Sequence, residues 1–162
     1  MKYFVNVETI EELKKEYKKL VMKLHPDLNK EFDTTSQFQE MQNEYNIMFE
    51  KVKNIFTNEK GEKYNKENNE NIETFKNIID KIVYFENVKI EIIGTWLWLS
   101  GNTKEYKDII KSLGFRWSQN KIAWYYHEGS YRKNNNTKYS LDDLRTKFGT
   151  ESVENERMLK LA

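Results

Sequence analysis

Three adjacent residues, His25-Pro26-Asp27, combine a hydrogen-bonding ring, a rigid backbone and a carboxylate. A given tripeptide arises by chance in roughly one chain in fifty of this length, so its flanks must decide what it means. Other candidates for chemistry are few. With no cysteine and two histidines, His25 and His127, the chain cannot build a zinc finger or zinc ribbon. It has no phosphate loop, nucleophile elbow or catalytic triad. His127 beside Glu128 hints at acid–base work, but adjacent strand residues point to opposite faces. These residues point away from an enzyme, and no metal or cofactor is expected.

The elements around the tripeptide are ordered. Leu13, Tyr17, Leu20, Val21 and Leu24 form one stripe of a 3.6-residue helix. Thr9-Ile10-Glu11-Glu12 fits a capping box at its start, and Pro26 stops it by removing a donor and pushing His25 out of the α region. Lys14, Lys15, Lys18, Lys19 and Lys23 lie off the stripe in two rows, giving a cationic outer side. Most such faces only solubilise a helix. A second helix follows, capped by Asp33 or Thr34, with Phe38, Met41, Tyr45, Met48, Val52 and Ile55 recurring at threes and fours. The two stripes must cover each other, leaving the segment from His25 to Asp33 exposed at one end of a helical hairpin.

This pattern resembles the J domain of the DnaJ co-chaperone family. Glu11-Glu12-Leu13-Lys14-Lys15-Glu16-Tyr17-Lys18-Lys19-Leu20 through Leu24-His25-Pro26-Asp27 follows that family's second helix, and Gln37-Phe38-Gln39-Glu40-Met41 through Tyr45 follows its third. The resemblance covers about residues 3 to 65, with Tyr3, Phe4 and Val7 standing for the short first helix. Two basic positions are lost, to Leu28 and Gln39. The family's terminal motif appears about seven residues late, at Asn58 to Asn65, which predicts a third helix lengthened by two turns.

The resemblance implies docking on a DnaK-type 70-kDa heat-shock chaperone and stimulation of its ATP hydrolysis. Asp27 would pair bidentately with an arginine, Pro26 would fix the approach of the loop, and the His25 ring would hold the turn. Lys14, Lys18 and Lys19 would meet an acidic groove, contributing on-rate and orientation, with Tyr17 and Phe38 completing the chaperone-binding set.

The composition changes after Tyr64. Residues 66–87 read as a polar linker and a connecting helix from about Ile72, with Phe75, Ile78, Ile79, Ile82 and Val83 on one face. Residues 88–149 read as a small ββαββα domain containing all four tryptophans. Its strands lie around Val88–Ile92, Trp96–Leu99, Phe115–Trp117 and Ile122–Tyr126, with a short helix before Gly114 and another from Ser140. Asn134 to Asn136 are an exposed loop, and residues 150–162 are a tail with room for a helix. The expected class is α+β: a J-type helical hairpin (1–65) followed by this domain. Gly101-Asn102-Thr103, Leu113-Gly114-Phe115-Arg116-Trp117 and Lys121-Ile122-Ala123-Trp124 resemble a small module of phage and mobile-element proteins, over about residues 88 to 127.

From Val88 to Gly149 there are eleven Lys and Arg against six Asp and Glu, within a chain of net charge +1. Arg116, Trp117, Trp124, Tyr125 and Arg132, with Trp96, are therefore candidates for a target or for single-stranded nucleic acid. A domain of this size needs its tryptophans as core, which makes nucleic acid the less favoured partner. Trp117 and Trp124 are expected to be more exposed than Trp96 and Trp98. No apolar run approaches a membrane span and no signal peptide is visible, so the expected location is the cytoplasm, of a bacterium or of a host if phage-encoded. Two readings result: a co-chaperone whose C-terminal domain holds an unknown client or target, and a mobile-element binding protein that uses a J domain to capture a host factor.

Overall fold

Thr9 and Pro26 bound the first helix as their chemistry requires. In the computed structural model, which describes residues 1–128, 139–148 and 150–153, α1 spans Ile10–Leu24. Thr9 Oγ1 accepts the Glu12 amide at 3.4 Å, while the Glu12 carboxylate takes the Glu8 amide at 2.8 Å. Helix α2 spans Thr35–Val52, and here Asp33, not Thr34, supplies the cap by accepting the Thr35 amide at 3.1 Å. The two stripes meet in a core of Leu13, Tyr17, Val21, Met41 and Tyr45, all fully buried, with the Tyr17 and Tyr45 rings 4.2 Å apart.

Three expectations for this half need correction. Residues 1–9 contain no helix: Phe4 is buried, with its ring 6.0 Å from Tyr45, and the Glu44 carboxylate accepts the Lys2 and Tyr3 amides, which pins this segment to α2. The third helix of the resemblance is not lengthened. α2 ends at Val52, and the extra residues form an antiparallel hairpin, β1 (Ile55–Thr57) with β2 (Lys63–Asn65). Ile55, Phe56 and Thr57 favour a pleated strand, and the turn is built by Asn58, whose Oδ1 accepts the Lys60 and Glu62 amides at 2.9 Å, and by Gly61 at φ +80°. β1 is tied to α1, because the Thr57 amide donates to Glu11 at 3.2 Å.

The third correction concerns residues 66–84. Asn68 donates to the Lys53 carbonyl at 2.8 Å, and Asn71 caps α3 (Ile72–Ile82) by accepting the Glu73 amide at 2.9 Å. Phe75, Ile78, Ile79 and Ile82 are buried, and the Phe75 ring lies 6.0 Å from Tyr17. The chain divides into two compact units, Met1–Tyr84 and Phe85 onward, so α3 is a packed part of the first unit instead of a connector.

The second unit is a five-stranded antiparallel sheet in the order β5-β6-β4-β3-β7, with β3 Val88–Ile93, β4 Trp96–Gly101, β5 Arg116–Ser118, β6 Ala123–Tyr126 and β7 Thr150–Val153. Among the described residues its helices are α4 (Lys107–Ser112), entered through a 3₁₀ turn at Lys104–Tyr106, and α5 (Leu141–Phe148). The class is thus α+β. β7 is the surprise. Thr150–Val153 pair with β3, where the sequence suggests only a tail, because an edge strand this short carries little pattern of its own.

Strands β3 and β4 are buried along most of their length, as a sheet covered on both faces requires. On one face Ile93, Trp98 and Ala123 pack against Leu141 of α5. Glu91 on that side is fully buried and bound bidentately by Arg145 at 2.8 Å, with Lys89 at 3.4 Å. Burial pushes the Glu91 carboxyl up, but Arg145 and Lys89 outweigh it and hold it below its ordinary value. Gly101, at φ +91°, lies where a Cβ would come within 2.7 Å of the Asn87 carbonyl oxygen.

Candidate partner-binding site

The tripeptide turn is built from α1 outward. The His25 amide still bonds back to the Val21 carbonyl at 2.9 Å, but His25 has left the helical region, with ψ 124° before proline. Its carbonyl then accepts the Leu28 and Asn29 amides at 3.1 Å and Asn29 Nδ2 at 3.0 Å. Its ring closes the loop from the other side, with Nδ1 accepting the Asp27 amide at 3.2 Å, which places the neutral ring's proton on Nε2. Phe38 of α2, half-buried, braces the ring edge-on at 5.0 Å. Asp27 is exposed, its carboxylate presented by a turn that backbone and ring hold rigid.

The turn has neighbours that the sequence reading missed. Tyr84, just beyond α3, donates its hydroxyl to Asp27 Oδ2 at 2.7 Å and sets its ring edge-on to His25 at 5.4 Å. Burial and the Asp27 carboxylate push the Tyr84 phenol up to about 12. Asp80, one turn earlier, has its carboxyl raised by burial, with His25 and Lys76 pulling the other way. No local pattern marks Tyr84, because a tyrosine past the end of an apolar stripe looks like ordinary surface.

The cationic side of α1 is also different from its sequence reading. Tyr17 is fully buried in the core, while Lys14 and Lys18 are 3 % and 1 % exposed. Lys14 Nζ meets the Glu70 carboxylate at 2.5 Å and lies over the Phe75 ring at 5.1 Å. Glu70 and Phe75 thus cover Lys14, Phe75 lies by Tyr17, and neither Tyr17, Lys14 nor Lys18 faces solvent. Lys19 does, 3.8 Å from Glu16.

In the second unit the four described target residues, Arg116, Trp117, Trp124 and Tyr125, do not gather on one face. Register sets Trp117 opposite Trp124 and Arg116 opposite Tyr125, so the two pairs point to opposite faces of the sheet. Trp117 is 44 % exposed and Arg116 is exposed, but Trp124 is buried, which corrects the expectation of two exposed tryptophans at the strand ends. Tyr125 is half-buried and stacks with Trp96 at 5.6 Å beside His127, a row packed against α5. Arg132 and Asn134–Asn136 lie outside the described residues. Among the described residues no cluster of metal-ligating side chains occurs, and no helix is long and apolar enough to cross a membrane.

A helical pair closed by a rigid His-Pro-Asp turn defines a class. Residues 6–55 match the family model of the DnaJ domain. A curated relative, DnaJ homolog 1, mitochondrial, of Saccharomyces cerevisiae, is 48 % identical over 42 residues, which is 26 % of this chain. The match spans 8 % of that protein's length. No solved structure matches the chain.

Proposed function

We propose that this protein is a co-chaperone that docks its His25-Pro26-Asp27 turn on a DnaK-type 70-kDa chaperone and stimulates ATP hydrolysis there. One observation carries the reading: an exposed Asp27 carboxylate on a turn fixed by Pro26 and by the bond from the Asp27 amide to the His25 ring. A carboxylate held this way suits a planar, bidentate arginine, since little side-chain or loop entropy is lost on pairing. Lys19 and Lys23 are cations of α1 left at the surface to steer an acidic partner. The second unit would hold the client or target, and the hairpin joining β5 and β6 supports this by exposing Trp117 and Ile122 at the β5 end of the sheet, among the described residues an edge. Single-turnover ATP hydrolysis by a bacterial 70-kDa chaperone tests the first part. The parent should accelerate it, while His25→Gln and Asp27→Asn should not. Equal rates with all three proteins, or no acceleration by the parent, would reject the reading.

A further inference from the structure

Building on that reading, we infer that residues 66–84 mask the J domain's own docking face, and that chaperone binding requires this segment to leave. Two contacts define the mask. The Tyr84 hydroxyl occupies Asp27 Oδ2 at 2.7 Å, one of the two oxygens that a bidentate arginine needs. The Glu70 carboxylate sits on Lys14 at 2.5 Å, in the place of a partner's acidic group, with both side chains under one tenth exposed. Between them, α3 buries Phe75, Ile78 and Ile79, and the Phe75 ring lies over Lys14. An acidic residue, a cation–π contact and a phenol donor thus engage the cationic helix face and the turn together. A partner using that face must displace them.

The ends of the segment make release practicable. Its polar start, 65–71, carries no large apolar side chain, and Tyr84 is 40 % exposed at the other end. Detachment gives up the apolar stripe of one eleven-residue helix together with the Glu70–Lys14, Tyr84–Asp27 and Asn68–Lys53 contacts.

The test uses the full chain and an ATP-bound bacterial 70-kDa chaperone, titrated with parent, Tyr84→Phe and His25→Gln. Tyr84→Phe keeps the ring against His25 and removes only the donor to Asp27, so folding is not at issue. A partly exposed bond to a carboxylate should then be worth about three- to tenfold tighter binding. Amide exchange supplies the second readout: adding chaperone to the parent should speed exchange across Ile72–Ile82 while slowing it in α1. If His25→Gln abolishes binding but Tyr84→Phe binds no tighter and α3 stays protected, the mask is wrong and docking stands. If His25→Gln binds like the parent, docking fails and the mask falls with it.

Discussion

Removing the Glu70 carboxylate should destabilise the first unit far more than an ordinary surface substitution. The Glu70 and Lys14 side chains are 9 % and 4 % exposed, so Glu70→Ala leaves a buried ammonium beside the Phe75 ring without its close ion-pair partner, with the Glu11 carboxylate one turn away offsetting part of the loss. Stranding one member of a buried pair costs about 3 kcal/mol, and in a unit of this size that lowers the melting midpoint by at least about 12 °C. The Lys19–Glu16 pair, 40 % and 37 % exposed, provides the contrast, since losing it should cost under about 0.5 kcal/mol. Lys14→Met with Glu70→Gln removes both charges at similar volume, and should return to within about 1 kcal/mol of the parent. The chain provides its own assay. All four tryptophans lie between residues 96 and 124, so their fluorescence reports the second unit, while far-UV dichroism at 222 nm is dominated by α1, α2 and α3. Glu70→Ala should move the dichroism midpoint and leave the fluorescence midpoint in place. An unchanged dichroism midpoint, or a double variant as unstable as the single one, would refute the reasoning.

Other predictions concern the second unit. Glu91 has a depressed folded-state carboxyl, so its contribution is fully present above its ordinary value of 4.5 and is lost as pH falls through the lower folded value; the tryptophan-monitored denaturation midpoint should fall in that window. An acid limb that Glu91→Gln leaves unaltered would count against this. Gly101→Ala should cost at least about 1 kcal/mol by urea denaturation, since a Cβ there meets the Asn87 carbonyl oxygen at 2.7 Å with φ at +91°. Ile122, 72 % exposed at φ +51°, is a β-branched residue in the left-handed region; Ile122→Gly should therefore stabilise the unit by about 1 kcal/mol in the same experiment.

The hairpin of α1 and α2 was legible because each signal acts locally: Thr9 starts a helix, Pro26 ends one, and an apolar stripe at 3.6 spacing must be covered. The site's rigid turn was legible for the same reason. What covers a stripe is not local. Phe75, Ile78, Ile79 and Ile82 announce an amphipathic α3, but nothing in their spacing says that it lies over Lys14. Two lysine rows off an apolar stripe read as an exposed face, whether solvated or docked on a partner. After Val52 the family register favours a continued helix, whereas Ile55, Phe56, Thr57 and the Asn58–Gly61 turn favour a hairpin by their own chemistry. In the second unit, strand alternation located β3, β4 and β6, while the burial of Trp124 follows from its pairing with Leu99 and Trp117, which only the register reveals.

The central claim is that the His25-Pro26-Asp27 turn works on a partner's ATPase. Single-turnover hydrolysis by an ATP-loaded bacterial 70-kDa chaperone, measured over a titration of the parent and of His25→Gln, tests it most directly. The account predicts a rate that rises and saturates with the parent and stays at the chaperone's basal value with His25→Gln. Two superimposable curves, flat or rising, would contradict it.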